Sequence, residues 1–289
     1  MSSNLPDIQQ SIPLIQMPIN QVGVENVEVP FKLQAKGGGY NDMIANVSMR
    51  SNLRNNVKGI SMSRLLGTLE HYLKKPLKHI LIHEILLELR ENLENDEAYI
   101  KFDFRMPLYK RSPISERSFP IYYKCSFEGQ LVKVIERGAP TDTFKFYQGV
   151  VVQYASYCPC SAELCNDLHD KGFGGFPHAQ RSYAHILIES MPNYFIWLED
   201  VIGTVESSIK TLPYPIIKRI DEQEIARIAS ENPIFVEDAI RAISQSIDEM
   251  EGVSDWYVKC VHEESIHTSE AIAINYKGIN GGFDFRYNL

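Results

Sequence analysis

Apolar and polar positions alternate along two early stretches of the chain, Val22-Gly-Val-Glu-Asn-Val-Glu-Val-Pro30-Phe31 and Met43-Ile-Ala-Asn-Val-Ser-Met-Arg50, separated by a glycine turn at 36–41. A period of two is that of a half-buried strand, so the pattern predicts a hairpin. From Ser61 the period lengthens. Met62, Leu65, Leu66, Leu69, Tyr72 and Leu73 recur at helical spacing, with Ser61 or Ser63 as N-cap and Pro76 as terminator. Ile80, Leu81, Ile82, Ile85, Leu86, Leu89 and Leu93 make a second helix with one apolar face. Strands are predicted over 98–105 and 118–127 with a loop at 107–113 between them, and 131–136 turns back across Glu128-Gly129.

The second half predicts strands at 144–155 and 182–189, a helix over 195–208, a longer helix over 235–250, and closing strands at 253–261 and 270–276. Residues 1–20, punctuated by Pro6, Pro13 and Pro18, read as an extended lead-in that docks elsewhere or moves, and 278–289 as a loop packed at an interface. The element order predicts an α+β fold of two tandem ββααββ units, 21–140 and 141–289, with antiparallel sheets and helices on one face. The halves share no evident sequence repeat, so the duplication rests on element order alone.

Composition narrows the function. The 289 residues are 44% hydrophobic and 23% charged, a globular balance, and the formal charge is −8. With a pI near 5.5 the chain lacks the basic footprint of a nucleic-acid or anionic-membrane binder. There is no apolar run of membrane-spanning length and no basic, apolar leader at the amino terminus, so a soluble, cytoplasmic protein is expected. Five cysteines is an odd count in a chain large enough not to need disulfides, which favours metal binding or catalysis.

Three of those cysteines fall in Cys158-Pro-Cys160-Ser-Ala-Glu-Leu-Cys165, at the end of the apolar run 144–154, and His178 follows. Thiolate and imidazole are ligands for a soft or borderline divalent metal. No second CxxC completes a closed structural zinc site, and buried cysteines also pack as small hydrophobes. His169 and Cys165 compete as ligands, and His178 also reads as a solvated loop histidine. Glu237 follows Phe235-Val236 where the long helix begins. A carboxylate there is ordinarily a dipole partner, and it also suits bidentate acceptance of two N–H donors from a planar heterocycle. His262-Glu-Glu264-Ser-Ile-His267 lies between the last two strands, where a histidine beside a metal carries protons at neutral pH. Neither a P-loop nor a dinucleotide fingerprint is present.

Cys158-Pro-Cys160-Ser, His178-Ala-Gln-Arg181-Ser, Lys218-Arg-Ile-Asp-Glu222, Phe235-Val-Glu237-Asp238 and Glu264-Ser-Ile-His267, in that order, resemble the type IB GTP cyclohydrolases over nearly the whole chain. The openings Pro6-Asp-Ile-Gln and Val22-Gly-Val-Glu-Asn fit that family too. The resemblance implies a bimodular tunnelling fold and a homo-oligomer, dimer or tetramer, with active sites between subunits. It implies Cys158, His178 and Glu222 as ligands of a divalent metal (zinc, manganese or iron), and Glu237 as the anchor of the guanine. It further implies His267 as a proton-transfer residue oriented by Glu264, with Arg181, Lys218, Arg219 and Arg64 as triphosphate contacts. The implied reaction converts GTP and water to 7,8-dihydroneopterin triphosphate and formate, feeding folate or a related pterin or deazapurine route.

Two departures from the family pattern stand out. Lys58-Gly-Ile-Ser61-Met-Ser-Arg64 has serine where members usually carry histidine, and the segment from Cys158 to His178 is longer than usual, with His169 and Gly174-Gly175 inside it. They keep open a non-catalytic purine- or pterin-binding relative, or a cyclohydrolase with a different pterin product.

Overall fold

The computed structural model describes residues 8–136, 138–192, 194–279 and 282–284. Contacts divide the chain into two compact units, one of Met1–Arg105 with Ser126–Tyr147 and one of Met106–Cys125 with Gln148–Leu289. Strands follow the hydrogen-bonded order β3-β1-β2-β4-β5-β6-β7-β8-β9, each introduced below.

In the first unit the predicted hairpin is present as β1 (Ile19–Gln34) and β2 (Tyr40–Leu53), antiparallel and longer than the alternation alone indicated. Helix α1 (Met62–Glu70) begins after Ser61, whose side chain makes no cap bond. A two-residue strand β3 (Pro76–Leu77) pairs parallel to β1 before α2 (His79–Leu93). The apolar face of α2 buries Leu81, Ile82, Ile85, Leu86 and Leu89. β4 (Glu97–Arg111) buries alternate residues Ala98, Ile100, Phe102 and Phe104. Phe31, Phe104, Phe127 and Phe146 then pack in a chain of tilted and edge-on rings, with centroids 5.1–5.6 Å apart. Such aromatic pairs contribute about 0.5–1.5 kcal/mol each beyond their buried area.

Two expectations fail here. The loop at 107–113 is strand as far as Arg111. The recorded pairing of β4 with β2 ends at Phe104, so the missing N–H of Pro107 interrupts no bond of that ladder. The turn at Glu128-Gly129 is absent, because β5 (Ser118–Glu136) runs straight through. A Cβ on Gly129 would overlap Ile82 Cγ2 and lie 2.9 Å from Leu86 Cδ1, so this glycine lets α2 approach the strand instead of turning it.

In the second unit β6 (Ala139–Tyr157) delivers Gln148–Tyr157, and β7 (Ala179–Ser190), β8 (Val253–His262) and β9 (Ala271–Tyr276) pair antiparallel in turn. Helix α4 (Leu198–Ile209) packs on α6 (Val236–Asp248), and α6 turns Ala239, Ile240, Ile243 and Ile247 inward against β8 and β9. Each buried isoleucine stabilises by about 1.5–3 kcal/mol. Two helices were not predicted. α3 (Pro159–Asp170) occupies the expected insertion, and α5 (Arg219–Glu231) lies between α4 and α6. Their buried faces are small, Cys165 in α3 and Asp221 and Ala229 in α5, so no apolar stripe announces them.

The lead-in docks on its own chain where it is described. Lys58 N–H donates to the Ser11 carbonyl (3.0 Å), and Gly59 N–H to the Gln9 carbonyl (3.1 Å). Residues 1–7, with Pro6, lie outside the described residues. Of the tail, Phe283 is buried and its N–H donates to Asp255 Oδ2 (3.1 Å), while 280–281 and 285–289 lie outside them.

Candidate active site

Where β6 ends, Cys158 takes an extended conformation (φ −66°, ψ 120°) as the residue capping α3, and Pro159 opens the helix. Its thiol makes no cap bond, so the half-buried sulfur is left for other chemistry. Cys158 N–H donates to the carbonyl of His178 (3.3 Å), and His178 N–H donates to Ser161 Oγ (3.3 Å). These bonds bring both ends of the 158–178 excursion together. The thiol and the imidazole, twenty positions apart in sequence, therefore border the same space.

β7 then alternates. Gln180 and Ser182 turn inward and Arg181 turns out to solvent. Gln180 Oε1 lies 3.0 Å from His178 Nδ1, and Gln180 Nε2 donates to Glu264 Oε1 (3.1 Å). Because a carboxylate only accepts, the amide must face Glu264, so its carbonyl accepts from Nδ1–H. That tautomer leaves His178 Nε2 with a free lone pair. Glu264 Oε2 is 3.9 Å from the same Nδ1.

The start of α6 is tied to the same place. Ile234 N–H donates to the carbonyl of Tyr157 (2.9 Å), so Glu237, exposed in the first turn of α6, stands beside the end of β6. The result is a cavity of about 530 Å³ whose polar wall includes Cys158, Cys160, His178, Gln180, Glu237, His262, Glu264 and His267, with Ile234, Phe235 and Ile266 as apolar cover. His267 is exposed on the 263–270 loop.

His262 does not belong to the connection between the last two strands. It is the last residue of β8, only 2% exposed, with Nε2 2.9 Å from the hydroxyl of buried Tyr154. Burial pushes its pKa down to about 4, with Glu237 pulling the other way, so the ring is neutral at pH 7.

Several predicted residues are elsewhere. Glu222 is exposed on α5 and does not line the cavity, nor do Arg181, Lys218 and Arg219. Arg64 belongs to the first unit, where its guanidinium donates to the Asn92 carbonyl (3.0 Å). His169 Nε2 is engaged with Gly175 behind α3, and Cys165 is buried in that helix. Beside Glu222, Asp221 is fully buried and accepts from Ser115 Oγ (2.5 Å) and from the N–H groups of Ser115 (2.7 Å), Lys218 (2.7 Å) and Ile114 (2.9 Å). The structural carboxylate of this pair is therefore 221. Among the described residues no three His, Cys, Asp or Glu side chains converge as a metal-holding group, so the donor set of one chain fits a metal only in part, through Cys158 and His178.

Sequence reasoning missed Gln180, His262 and Tyr154. The period-two alternation of β7 was a usable signal for Gln180. Nothing local distinguishes His262 from a loop histidine.

Solved structures sharing this fold include uricases from Arthrobacter globiformis (TM-score 0.52, 7% identity, 89% of this chain and 92% of that one) and Bacillus fastidious (TM-score 0.53, 8% identity, the same coverage). The chain is 30% identical over 271 residues to GTP cyclohydrolase FolE2 of Geobacter metallireducens, covering 94% of this chain and 96% of that one. It is 32% identical over 276 residues to the protein of the same name from Dictyoglomus turgidum, covering 95% and 98%. The family described as type I GTP cyclohydrolase folE2 matches residues 5–273. With the match running through the cavity-lining segments as well as the rest of the α+β fold, this chain belongs to the type I GTP cyclohydrolase FolE2 family.

Proposed function

We propose that this protein is a metal-dependent GTP cyclohydrolase that converts GTP and water to 7,8-dihydroneopterin triphosphate and formate, in folate or related pterin biosynthesis. The observation that carries the reading is the gathering of Cys158, His178, Glu237, Glu264 and His267 around one cavity, inside a family whose named members are GTP cyclohydrolases.

The residues divide the work. The Glu237 carboxylate accepts N1–H and an N2–H of guanine, the bidentate pairing its two oxygens suit. Glu264 is held in the polar wall of the cavity by Gln180. His267 moves protons between the cavity and solvent, a role worth about 10²–10⁴ in rate. A divalent metal would be held by Cys158 and His178 Nε2, with further donors from outside this set. When bound, such a metal supplies the Lewis acidity that makes water an effective nucleophile at neutral pH.

The same reading includes a cytoplasmic homo-oligomer with active sites between subunits. Its support is β9, the last strand in the order, which exposes Ile272, Ile274 and Tyr276. An unpaired edge carrying apolar side chains is a surface that a second copy covers. Among the described residues no helix is long and apolar enough to cross a membrane.

The test is to load the protein with zinc, manganese or iron, add GTP, and follow formate and pterin fluorescence. Turnover that disappears in Cys158→Ala, and persists in Cys160→Ala, supports the assignment. Glu237→Ala should retain metal and lose GTP. Binding of GTP without formate from any of the metals would refute the enzyme and leave a purine-binding protein.

A further inference from the structure

Among the polar groups that line the cavity, His262 takes no part in the proposed holding of the metal, anchoring of the guanine or movement of protons. His262 closes β8, opposite Ser182 of β7 and Ala271 of β9, and borders the cavity together with Glu237. Its Nε2 is turned toward Tyr154, which is buried behind the wall and does not line the cavity. That contact is the one side-chain hydrogen bond of the Tyr154 hydroxyl among the described residues.

Two proton arrangements satisfy the geometry of this pair. In one, the Tyr154 hydroxyl donates to His262 Nε2. In the other, His262 Nε2–H donates to the phenol oxygen. Tyr154 is buried and has no other hydrogen-bond partner among the described residues, so the second arrangement leaves the phenol proton without an acceptor, which is costly. The first arrangement therefore prevails and puts the ring proton on Nδ1. That nitrogen makes no hydrogen bond to the described residues and is not among their fully buried side-chain atoms lacking one. His262 Nδ1–H consequently opens into the cavity.

We propose that His262 is a specificity-determining residue that reads the 6-oxo oxygen of the purine, donating from Nδ1 beside the carboxylate of Glu237. The inference rests on the guanine reading above. Guanine presents an acceptor, a donor and a donor along its O6, N1 and N2 edge, and a neutral imidazole N–H next to a carboxylate presents the complement. A 6-amino purine meets N–H against N–H and is rejected, and a donor without an acceptor is costly to bury. Tyr154 acts through His262 by fixing its tautomer.

The experiment compares GTP with 6-thioguanosine triphosphate on the metal-loaded protein. The analogue keeps both donors for Glu237 and replaces O6 by a much weaker acceptor. Wild type should prefer GTP by roughly 10-fold in kcat/KM, a preference equivalent to one modest hydrogen bond. His262→Phe, which keeps a ring and removes the donor, should bring that ratio below about 3, mainly through KM for GTP. His262→Asn, with an amide donor, should restore part of it. A purely structural role would lower activity toward both nucleotides alike. An unchanged ratio in folded His262→Phe, or a wild-type ratio below about 2, overturns the proposal, and the second result needs no variant. Loss of GTP binding in Glu237→Ala together with an unchanged ratio in His262→Phe would sink this inference alone. Wild type that neither binds nor converts GTP would sink the guanine reading and this inference together.

Discussion

Replacing Gln180 by leucine tests how the cavity wall is held. The side chain is 7% exposed and makes one bond to His178 Nδ1 (3.0 Å) and one to Glu264 (3.1 Å), so a near-isosteric apolar residue removes both while keeping the volume. In a dry interior, losing a neutral bond costs about 1 kcal/mol and a bond to a carboxylate about 1.5–3 kcal/mol. Both partners border a cavity and regain water, so the net loss of stability should be only about 1–2 kcal/mol. The larger effect is on function. Without its acceptor the imidazole is free to rotate or change tautomer, and removal of such an orienting partner typically lowers metal affinity or activity by about 10–100-fold. Ser161→Ala is the contrast, because Ser161 Oγ accepts only from the backbone N–H of His178 and leaves ring orientation alone. The measurements are formate release, metal content and the urea midpoint for the three proteins. Turnover of Gln180→Leu within two-fold of wild type, at equal metal content, would refute the orienting role.

Two further outcomes follow from buried groups. Burial alone would raise the Asp221 carboxyl, but the Ser115 hydroxyl and the N–H groups of Ser115, Lys218 and Ile114 outweigh it and hold the pKa below the usual carboxylate range. A depressed folded pKa stabilises fully above the unfolded value near 3.9 and is lost as pH falls below it, so Asp221→Asn should lower the urea midpoint at pH 7 and narrow its gap from wild type at the most acidic pH reached. A gap that widens on acidification would contradict this sign. Gly129→Ala should cost about 1–3 kcal/mol by forcing a methyl against Ile82 and Leu86, and a thermal midpoint equal to wild type would show that α2 gives way freely.

The legible parts of this protein are those where one side chain reports its own environment. Alternation in 22–31 and 43–50 revealed a hairpin because each strand buries one face, and the leucine and isoleucine spacing of 80–93 revealed α2 because one stripe packs. Gly129 misled because a glycine that makes room for a helix and a glycine that turns a chain look alike in sequence. Helix α5 was missed because a largely exposed helix fully buries only Asp221 and Ala229.

The sequence by itself determined the family motifs, most of the strand and helix periods, and the thiol and imidazole of Cys158 and His178 as ligand chemistry. Only tertiary structure decided which of these meet. Hydrogen bonds from Cys158 to His178 and from Ile234 to Tyr157 close a cavity out of distant segments. The pleat of β7 turns Gln180 in and Arg181 out, and the turn into α5 buries Asp221 while leaving Glu222 in solvent. His262 became visible only when β8 placed it between Tyr154 and the cavity. The physical reason is that a residue's type records what it can bond, whereas its partners are set by strand register and backbone hydrogen bonds between segments far apart in the chain.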